Sequence, residues 1–241
     1  MKQPPRFAMS LPPDGDGIAR VSRDEAHHMR DVMRLQPGDA VVLIDDIGTR
    51  FVGKLGGYDR DGARVQVSSN EAAHPRPQLI VAPAVVKGPR MDFIVEKAAE
   101  LGATELWPTV CARCVGKAPG AERITRWRRL ATAASKQSLV APPMQVRDAD
   151  SFAGLLRNVP RDTLALICAA GAMPMLEALV ATRASGLLIA SGPEGDFAPD
   201  ELESATAGGF VPVGLGPNRL RSETAAIAAI AIAHQWLNRQ S

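Results

Sequence analysis

Cysteine is scarce in this chain, and what there is forms no framework. Three cysteines, an odd number in 241 residues, do not make the disulfide scaffold of a small secreted domain, which agrees with a reducing compartment. Cys111 and Cys114 form a C-x-x-C, but a four-ligand zinc site needs a second pair and only Cys168 remains. The histidines, His27, His28, His74 and His234, lack ligand spacing, so no metal is expected. A thioredoxin-like pair opens a helix. Here Val115-Gly-Lys-Ala-Pro-Gly120 follows and reads as loop, so the pair is expected at a strand end. Long apolar runs are also missing. The longest, Ala225 to Ala233, falls far short of a membrane span, and Met1-Lys-Gln-Pro-Pro-Arg6 lacks a signal-peptide core. The expected location is the cytoplasm, with no membrane partner.

Several chemical signatures are absent as well. Nothing matches the G-x-x-x-x-G-K-[ST] phosphate loop. Gly214-Leu-Gly216 begins a dinucleotide fingerprint, but Arg219 stands at the third glycine and no early βαβ unit surrounds it. Ser191 and Ser222 lack the G-x-S-x-G elbow and a nearby histidine, which leaves a hydrolase triad unsupported. There is no internal repeat and no low-complexity tract.

What is present describes a globular protein with a real core, 46% of its residues being apolar. Ser22-Arg-Asp-Glu25 has capping-box spacing and predicts a helix through His27, His28 and Met33. Short strands follow at 40–44, 51–55 and 63–67, separated by the turns Asp45-Asp-Ile-Gly48 and Asp59-Arg-Asp-Gly62, the pattern of a small barrel or sandwich. The proline-bearing stretch 70–77 reads as a linker. Beyond it, strands at 79–86, 106–110, 163–168, 187–190 and 211–215 alternate with helices at 90–101, 121–137, 173–182, 199–207 and 222–238. This predicts an α/β domain with a largely parallel sheet. The helix carrying Ala225 to Ala233 is apolar all round, so it is expected to be buried in the core or against a second subunit.

The formal charge of +2 is unevenly spread. Residues 76–147 carry 12 Lys and Arg against 5 Asp and Glu, a local excess suited to a phosphate-rich partner. Arg123, Arg126, Arg128 and Arg129 crowd one predicted helix, where like charges need compensation.

Two loops near the C-terminal end concentrate glycine and charge: Ser191-Gly-Pro-Glu-Gly-Asp-Phe-Ala198 and Leu215-Gly-Pro-Asn-Arg-Leu-Arg-Ser-Glu-Thr-Ala225. Each follows a strand and leads into a helix, the position at which α/β sheets build ligand pockets. Glu194, Arg219, Arg221 and Glu223 add charge that a structural turn does not need.

These loops resemble the paired signature motifs of the ribosomal RNA small-subunit methyltransferase E family. The resemblance extends through Glu96-Lys-Ala-Ala-Glu-Leu-Gly102 with Pro108, through Lys136-Gln137-Ser138, and to His27-His-Met-Arg-Asp-Val-Met-Arg34 with Gly38-Asp39. It implies a PUA-like β-barrel RNA-binding domain over 1–72 and a SPOUT methyltransferase domain with a deep trefoil knot over 73–241. It further implies a homodimer active in ribosome biogenesis. Its methyl donor would be S-adenosylmethionine, leaving S-adenosylhomocysteine, and its target N3 of uridine 1498 in 16S rRNA. A SPOUT enzyme acting on another RNA, or a non-catalytic RNA-binding assembly protein, are the competing readings. The sequence departs from the family pattern at Asp196, where a second glycine is common, at Leu139-Val140, where an arginine is usual, and at Asn218-Arg-Leu.

On this resemblance Gly192, Glu194, Gly195, Leu215, Gly216, Leu220, Thr224 and Ala225 are expected at the cofactor. Arg6, Arg30, Arg34, Lys87, Arg90, Lys97 and Arg219 are expected at RNA. Arg221, with Arg219 second, would stabilise charge developing on the uracil carbonyls, and Glu223 or Glu194 would take the N3 proton. Each carboxylate also has a structural alternative, Glu223 at a helix N-terminus and Glu194 within its own loop.

Overall fold

Hydrophobic alternation in the first 71 residues is resolved into a sheet. The computed structural model describes residues 4–73, 75–115, 118–182 and 184–239, so His74, Gly116 and Lys117 of the expected linker and loop lie outside the described residues. One compact unit comprises Met1–Pro75 with Ser135–Pro143, and a second comprises Arg76–Ala134 with Met144–Ser241.

The first unit contains β1 (Arg6–Ala8), β2 (Ile18–Val21), α1 (Arg23–His27), β3 (Ala40–Ile44), β4 (Arg50–Asp59) and β5 (Gly62–Glu71). They form a sheet of order β1-β3-β4-β5-β2, antiparallel except for the β1–β3 pair. Phe51 and Leu55 alternate inwards along β4 and meet Phe7, Val41, Leu43 and Val65 in a core closed by Met29. The Ser22 side chain accepts the Glu25 N–H at 3.4 Å, the helix-starting bond read from sequence. The α-helix is shorter than expected. After His27 it widens into a π-helical turn over His28–Val32, and Arg34 ends it at φ +56°.

The second unit opens with β6 (Gln78–Pro83), α2 (Pro89–Glu100), β7 (Glu105–Leu106), β8 (Thr109–Val110), α3 (Ala121–Gln137), β9 (Gln145–Val146) and β10 (Asp150–Ser151). It continues with α4 (Phe152–Arg157), β11 (Thr163–Cys168), α5 (Met175–Val180), β12 (Gly186–Ser191), α6 (Pro199–Ala207), β13 (Val211–Val213) and α7 (Ser222–Leu237). Six strands form one parallel sheet of order β13-β11-β12-β6-β7-β9. Pro108 divides the strand expected over 106–110, and β8 pairs instead with β10.

The central strands are apolar on both faces because helices cover both. Leu79, Val81, Leu166, Leu187 and Ile189 point to one side, against Ile94 and Val95 of α2, Trp127 of α3, Leu179 of α5 and Ile230 of α7. Ile80, Ala82, Ala165, Ile167, Leu188 and Ala190 point to the other, against Phe152 and Leu155 of α4 and Ala205 of α6. On α7 the buried stripe is Ala226, Ala229, Ile230, Ala233 and Leu237, while Ile227, Ala228, Ala231 and Ile232 are only half-buried. No described helix is long and apolar enough to cross a membrane.

Candidate active site

Parallel pairing puts the segments after β6, β12 and β13 at the same edge of the sheet, the edge at which α/β proteins bind ligands. The first loop leaves β12 where the Ser191 carbonyl accepts the Ala84 N–H at 2.8 Å. It turns back on itself through the Asp196 N–H, which donates to Pro193 O at 2.9 Å. Asp196 sits at φ +62°, and its Oδ1 accepts the N–H of Phe197 at 2.8 Å. Asp tolerates this left-handed backbone through such a local bond. Gly192 is closely covered, since a Cβ there would lie 3.2 Å from Asp196 Oδ1 and 3.3 Å from the Phe197 ring.

Two side chains from elsewhere hold this loop. Arg113, in the turn after β8, donates to Gly195 O at 2.9 Å and Phe197 O at 3.3 Å. Glu201, buried in the first turn of α6, accepts the N–H of Ala198 at 2.9 Å and that of Ala112 at 2.8 Å. Neither residue was among the sequence candidates. Glu201 had a signal, a carboxylate at the third helical position behind Pro199. Arg113 had none, because its partners are backbone carbonyls more than 80 residues away in the chain.

The second loop starts at Gly214, whose N–H donates to Met173 O at 2.7 Å and whose carbonyl accepts from Met175 N–H at 3.0 Å. A Cβ on Gly214 would lie 2.7 Å from the Ala172 carbonyl oxygen, so only glycine fits. Gly216 has φ +117° with open space around it, and Leu215 is half-buried. Leu220 is exposed, and Arg221 caps α7 in an extended conformation. Thr224 is exposed and Ala225 half-buried in the first turn of α7. Within that turn, Ser222 Oγ and Glu223 Oε2 are buried without a hydrogen-bond partner among the described residues.

Arg90, at the start of α2, joins the two loops. Its Nη1 donates to Glu194 Oε1 at 2.8 Å, and its Nε lies 4.0 Å from Glu223 Oε1. The structure thus brings together both candidate carboxylates and an arginine assigned from sequence to RNA. Lys87, Arg219 and Arg221 are exposed and make no ion pair among the described residues. Lys97 is engaged on its own helix at 2.7 Å from both Glu96 and Glu100, and those hydrogen bonds raise its pKa.

In the other unit, Arg30 forms two 3.1 Å bonds with Asp31 and lies over the Tyr58 ring, while Arg6 and Arg34 are exposed. Two of the four crowded arginines of α3 are compensated by carboxylates, and a third stacks on a ring. Arg126 meets Asp92 at 2.6 Å, Arg128 meets Asp148 at 2.9 Å, and Arg123 lies over the Trp127 ring. Among the described residues no three His, Cys, Asp or Glu side chains gather as a metal site.

Comparison with known proteins agrees with this architecture. Residues 73–234 match the family model of an RNA methyltransferase domain, and residues 21–68 match that of an RNA methyltransferase PUA domain. The chain is 34% identical over 234 residues to ribosomal RNA small subunit methyltransferase E of Mycobacterium bovis, covering 93% of this chain and 88% of the relative. It is 30% identical to the Bacillus subtilis protein of the same name, covering 89% of each. The crystal structure of the Neisseria gonorrhoeae ribosomal RNA small subunit methyltransferase E bound to S-adenosyl methionine superposes with a TM-score of 0.73 at 26% identity, covering 97% of this chain and 98% of that one. With an RNA methyltransferase domain behind a PUA domain, and relatives of one name matched over nearly its whole length, this chain belongs to the ribosomal RNA small subunit methyltransferase E family.

Proposed function

We propose that this protein is a cytoplasmic S-adenosylmethionine-dependent methyltransferase that modifies N3 of a single uridine, position 1498, in 16S rRNA. The observation that carries the reading is the joining of the two family loops at one sheet edge through Arg90, Glu194 and Glu223. Family membership and the S-adenosyl methionine-bound Neisseria relative support the choice of cofactor.

The residues present fit such a cofactor. Leu215 and Leu220 offer apolar surface, Gly216 lets the backbone lie close to a ligand, and Ser222 Oγ is a buried polar atom without a partner among the described residues. The first turn of α7 adds N–H groups without an acceptor inside the helix, that of Thr224 among them, Ala225 adds a small apolar surface, and Gly192, Glu194 and Gly195 line the facing loop. Bound there, the cofactor supplies a methyl group on a cationic sulfur. The protein must align the base and free the lone pair on N3.

Neutral uridine carries a proton on N3. Glu223 Oε2, buried and without a hydrogen-bond partner among the described residues, is the better acceptor of that proton, because Glu194 is already engaged by Arg90 at 2.8 Å. Arg221, exposed and without an ion pair among the described residues, would face the charge that develops on the flanking carbonyl oxygens, and Arg219 would support it. The target base would leave its stack to reach the site.

The same reading carries a deep trefoil knot and a homodimer. Supporting the knot, β13 lies outside β11, yet α7 packs back on α2, β6 and β12 and so recrosses the strand-end edge of the sheet. Supporting the dimer, Ile227, Ala228, Ala231 and Ile232 of α7 remain half-buried, and Phe93 of the adjoining α2 is exposed. A division into residues 1–72 and 73–241 belongs to the same reading, supported by an RNA methyltransferase match that starts at residue 73 and a PUA match that ends at residue 68.

Nucleoside mass spectrometry of 16S rRNA from a deletion strain tests the assignment. Loss of N3-methyluridine is expected. Its persistence, with a methylated nucleoside missing from another RNA, would give the enzyme a different substrate. Calorimetry with S-adenosylmethionine separates an enzyme from a non-catalytic assembly protein, which would bind none. Arg221→Ala is expected to lower methyl transfer about 100-fold or more while cofactor affinity changes by less than about threefold. Unchanged turnover would remove Arg221 from its role.

A further inference from the structure

The C-x-x-C lies behind the candidate site, and the proposed methyl transfer makes no use of it. Cys111 to Cys114 form a tight turn directly after β8, closed by the Cys114 N–H donating to Cys111 O at 3.0 Å. Such a turn holds its first and fourth Cα atoms within about 7 Å, close to the range from which two cysteines join. The N–H of Cys111 donates to Cys114 Sγ at 3.2 Å, which folds the second thiol back over the turn.

The two sulfurs differ in the way an oxidisable dithiol requires. Cys111 is buried, and Cys114 is half-buried. The hydrogen bond from the Cys111 thiol, aided by backbone N–H groups, brings the Cys114 thiol down to about 7, against the opposing effect of burial. The same interaction with Cys114 pushes Cys111 up. The more accessible Cys114, whose thiol is also the one brought down, suits the attacking role, and the buried Cys111 the resolving one. Cys168 is an internal control, its thiol pushed up to about 12 by burial.

Both residues between the cysteines grip the elements of the candidate site. The N–H of Ala112 is held by Glu201, and Arg113 holds the carbonyls of Gly195 and Phe197. We propose that Cys111 and Cys114 are a peroxide-oxidisable dithiol whose closure to a disulfide loosens the grip of Arg113 and Glu201 on the Gly192–Ala198 loop. The functional consequence rests on the reading of that loop as part of the methyl-donor site.

The chemistry balances with hydrogen peroxide as oxidant. The Cys114 thiolate attacks one peroxide oxygen, the S–O bond forms as the O–O bond breaks, and the departing hydroxide takes a proton and leaves as water. The Cys111 sulfur then attacks Cys114, the S–S bond forms as the S–O bond breaks, and the second hydroxide leaves as water with the Cys111 proton. Two thiols are oxidised by two electrons, and one peroxide is reduced to two waters. A small thiol reverses the bond by exchange. Closure draws the sulfurs to about 2.05 Å with a dihedral near 90°. It also removes the Sγ acceptor used by the Cys111 N–H, so the backbone of Ala112 and Arg113 must readjust inside the new ring.

The test treats the full chain with hydrogen peroxide, then denatures it and alkylates free thiols for intact mass analysis. Reduced protein takes up three alkyl groups, one for each cysteine. Oxidised protein is expected to take up one, on Cys168, with dithiothreitol restoring the rest. Cys111→Ser is expected to give no disulfide and an oxygen adduct on Cys114. Hydrogen exchange over residues 192–198 reads the grip directly and is expected to quicken on oxidation in the natural chain but not in the Cys111→Ser variant. S-adenosylmethionine affinity is expected to fall by at least about threefold in the same samples. Alkylation of all three cysteines after peroxide would overturn the dithiol, and unchanged exchange in fully oxidised protein would overturn its coupling to the loop. Failure of the reduced protein to bind S-adenosylmethionine would instead strike the functional reading, with the alkylation and exchange results still deciding the inference.

Discussion

Asp196 carries a left-handed backbone at φ +62° and offsets it with the Oδ1 bond to Phe197 N–H. Asp196→Ala keeps the strained conformation and loses the bond, so urea unfolding is expected to give a loss of about 1–2 kcal/mol. Asp196→Gly loses the same bond but relaxes the backbone, and its stability is expected to stay within about 1 kcal/mol of the natural chain. A glycine variant less stable than the alanine one would disprove the strain argument. Arg90 presents a functional counterpart. Its hydrogen bond to Glu194 and its 4.0 Å approach to Glu223 suit a positioning role, in which case Arg90→Ala is expected to lower kcat about 10- to 100-fold while rRNA affinity changes by less than about threefold. A phosphate contact would give the reverse pattern. The charged members of both loops were readable from sequence because glycine and charge cluster there. The Arg90–Glu194 pair was not, since its partners lie 104 residues apart and no local period connects them.

Among the elements, α6 depends on a residue that serves two segments at once. Ala198, at its N-cap, has no side-chain oxygen, and the carboxylate of Glu201 instead satisfies Ala198 N–H and, beyond the helix, Ala112 N–H. Glu201→Ala would leave the buried Ala198 N–H and the part-buried Ala112 N–H without their partner, and a loss of about 1–3 kcal/mol is expected by urea or thermal unfolding. Glu201→Gln keeps one acceptor and is expected to lose about half as much. Equal stability of both variants with the natural chain would show that water replaces the carboxylate. The helices α2, α3, α6 and α7 were legible within one or two residues, because Pro89 and Pro199 mark helix starts and apolar positions recur at helical spacing over several turns. Strands β9 and β10 were not, being two residues long with no period of their own. They exist because a parallel neighbour supplies hydrogen bonds, which is tertiary information. The six-residue α4 escaped notice for a related reason, its capping Ser151 giving a start signal but too few turns for a face.

Across the whole molecule, the excess of positive charge in residues 76–147 is, from sequence, a local excess suited to a phosphate-rich partner. Folding divides it. Arg126, Arg128 and Lys97 spend their charge on Asp92, Asp148, Glu96 and Glu100, whereas Lys87, together with Arg219 and Arg221 from the second loop, remains exposed at the candidate site without an ion pair among the described residues. Only unspent charges release counterions when they meet phosphate, so the salt dependence of rRNA binding counts them separately from the total. Each such contact adds about 0.7–0.9 to the slope of log affinity against log salt. Lys87→Ala is therefore expected to weaken binding at low salt and reduce the slope by about that amount, with cofactor affinity unchanged. Lys97→Ala removes the same formal charge but one already paired, and is expected to leave both slope and affinity within error. Filter binding of 16S rRNA fragments across a salt series distinguishes the two variants. Equal slope changes would mean that total charge, rather than its unpaired fraction, governs how this protein meets RNA.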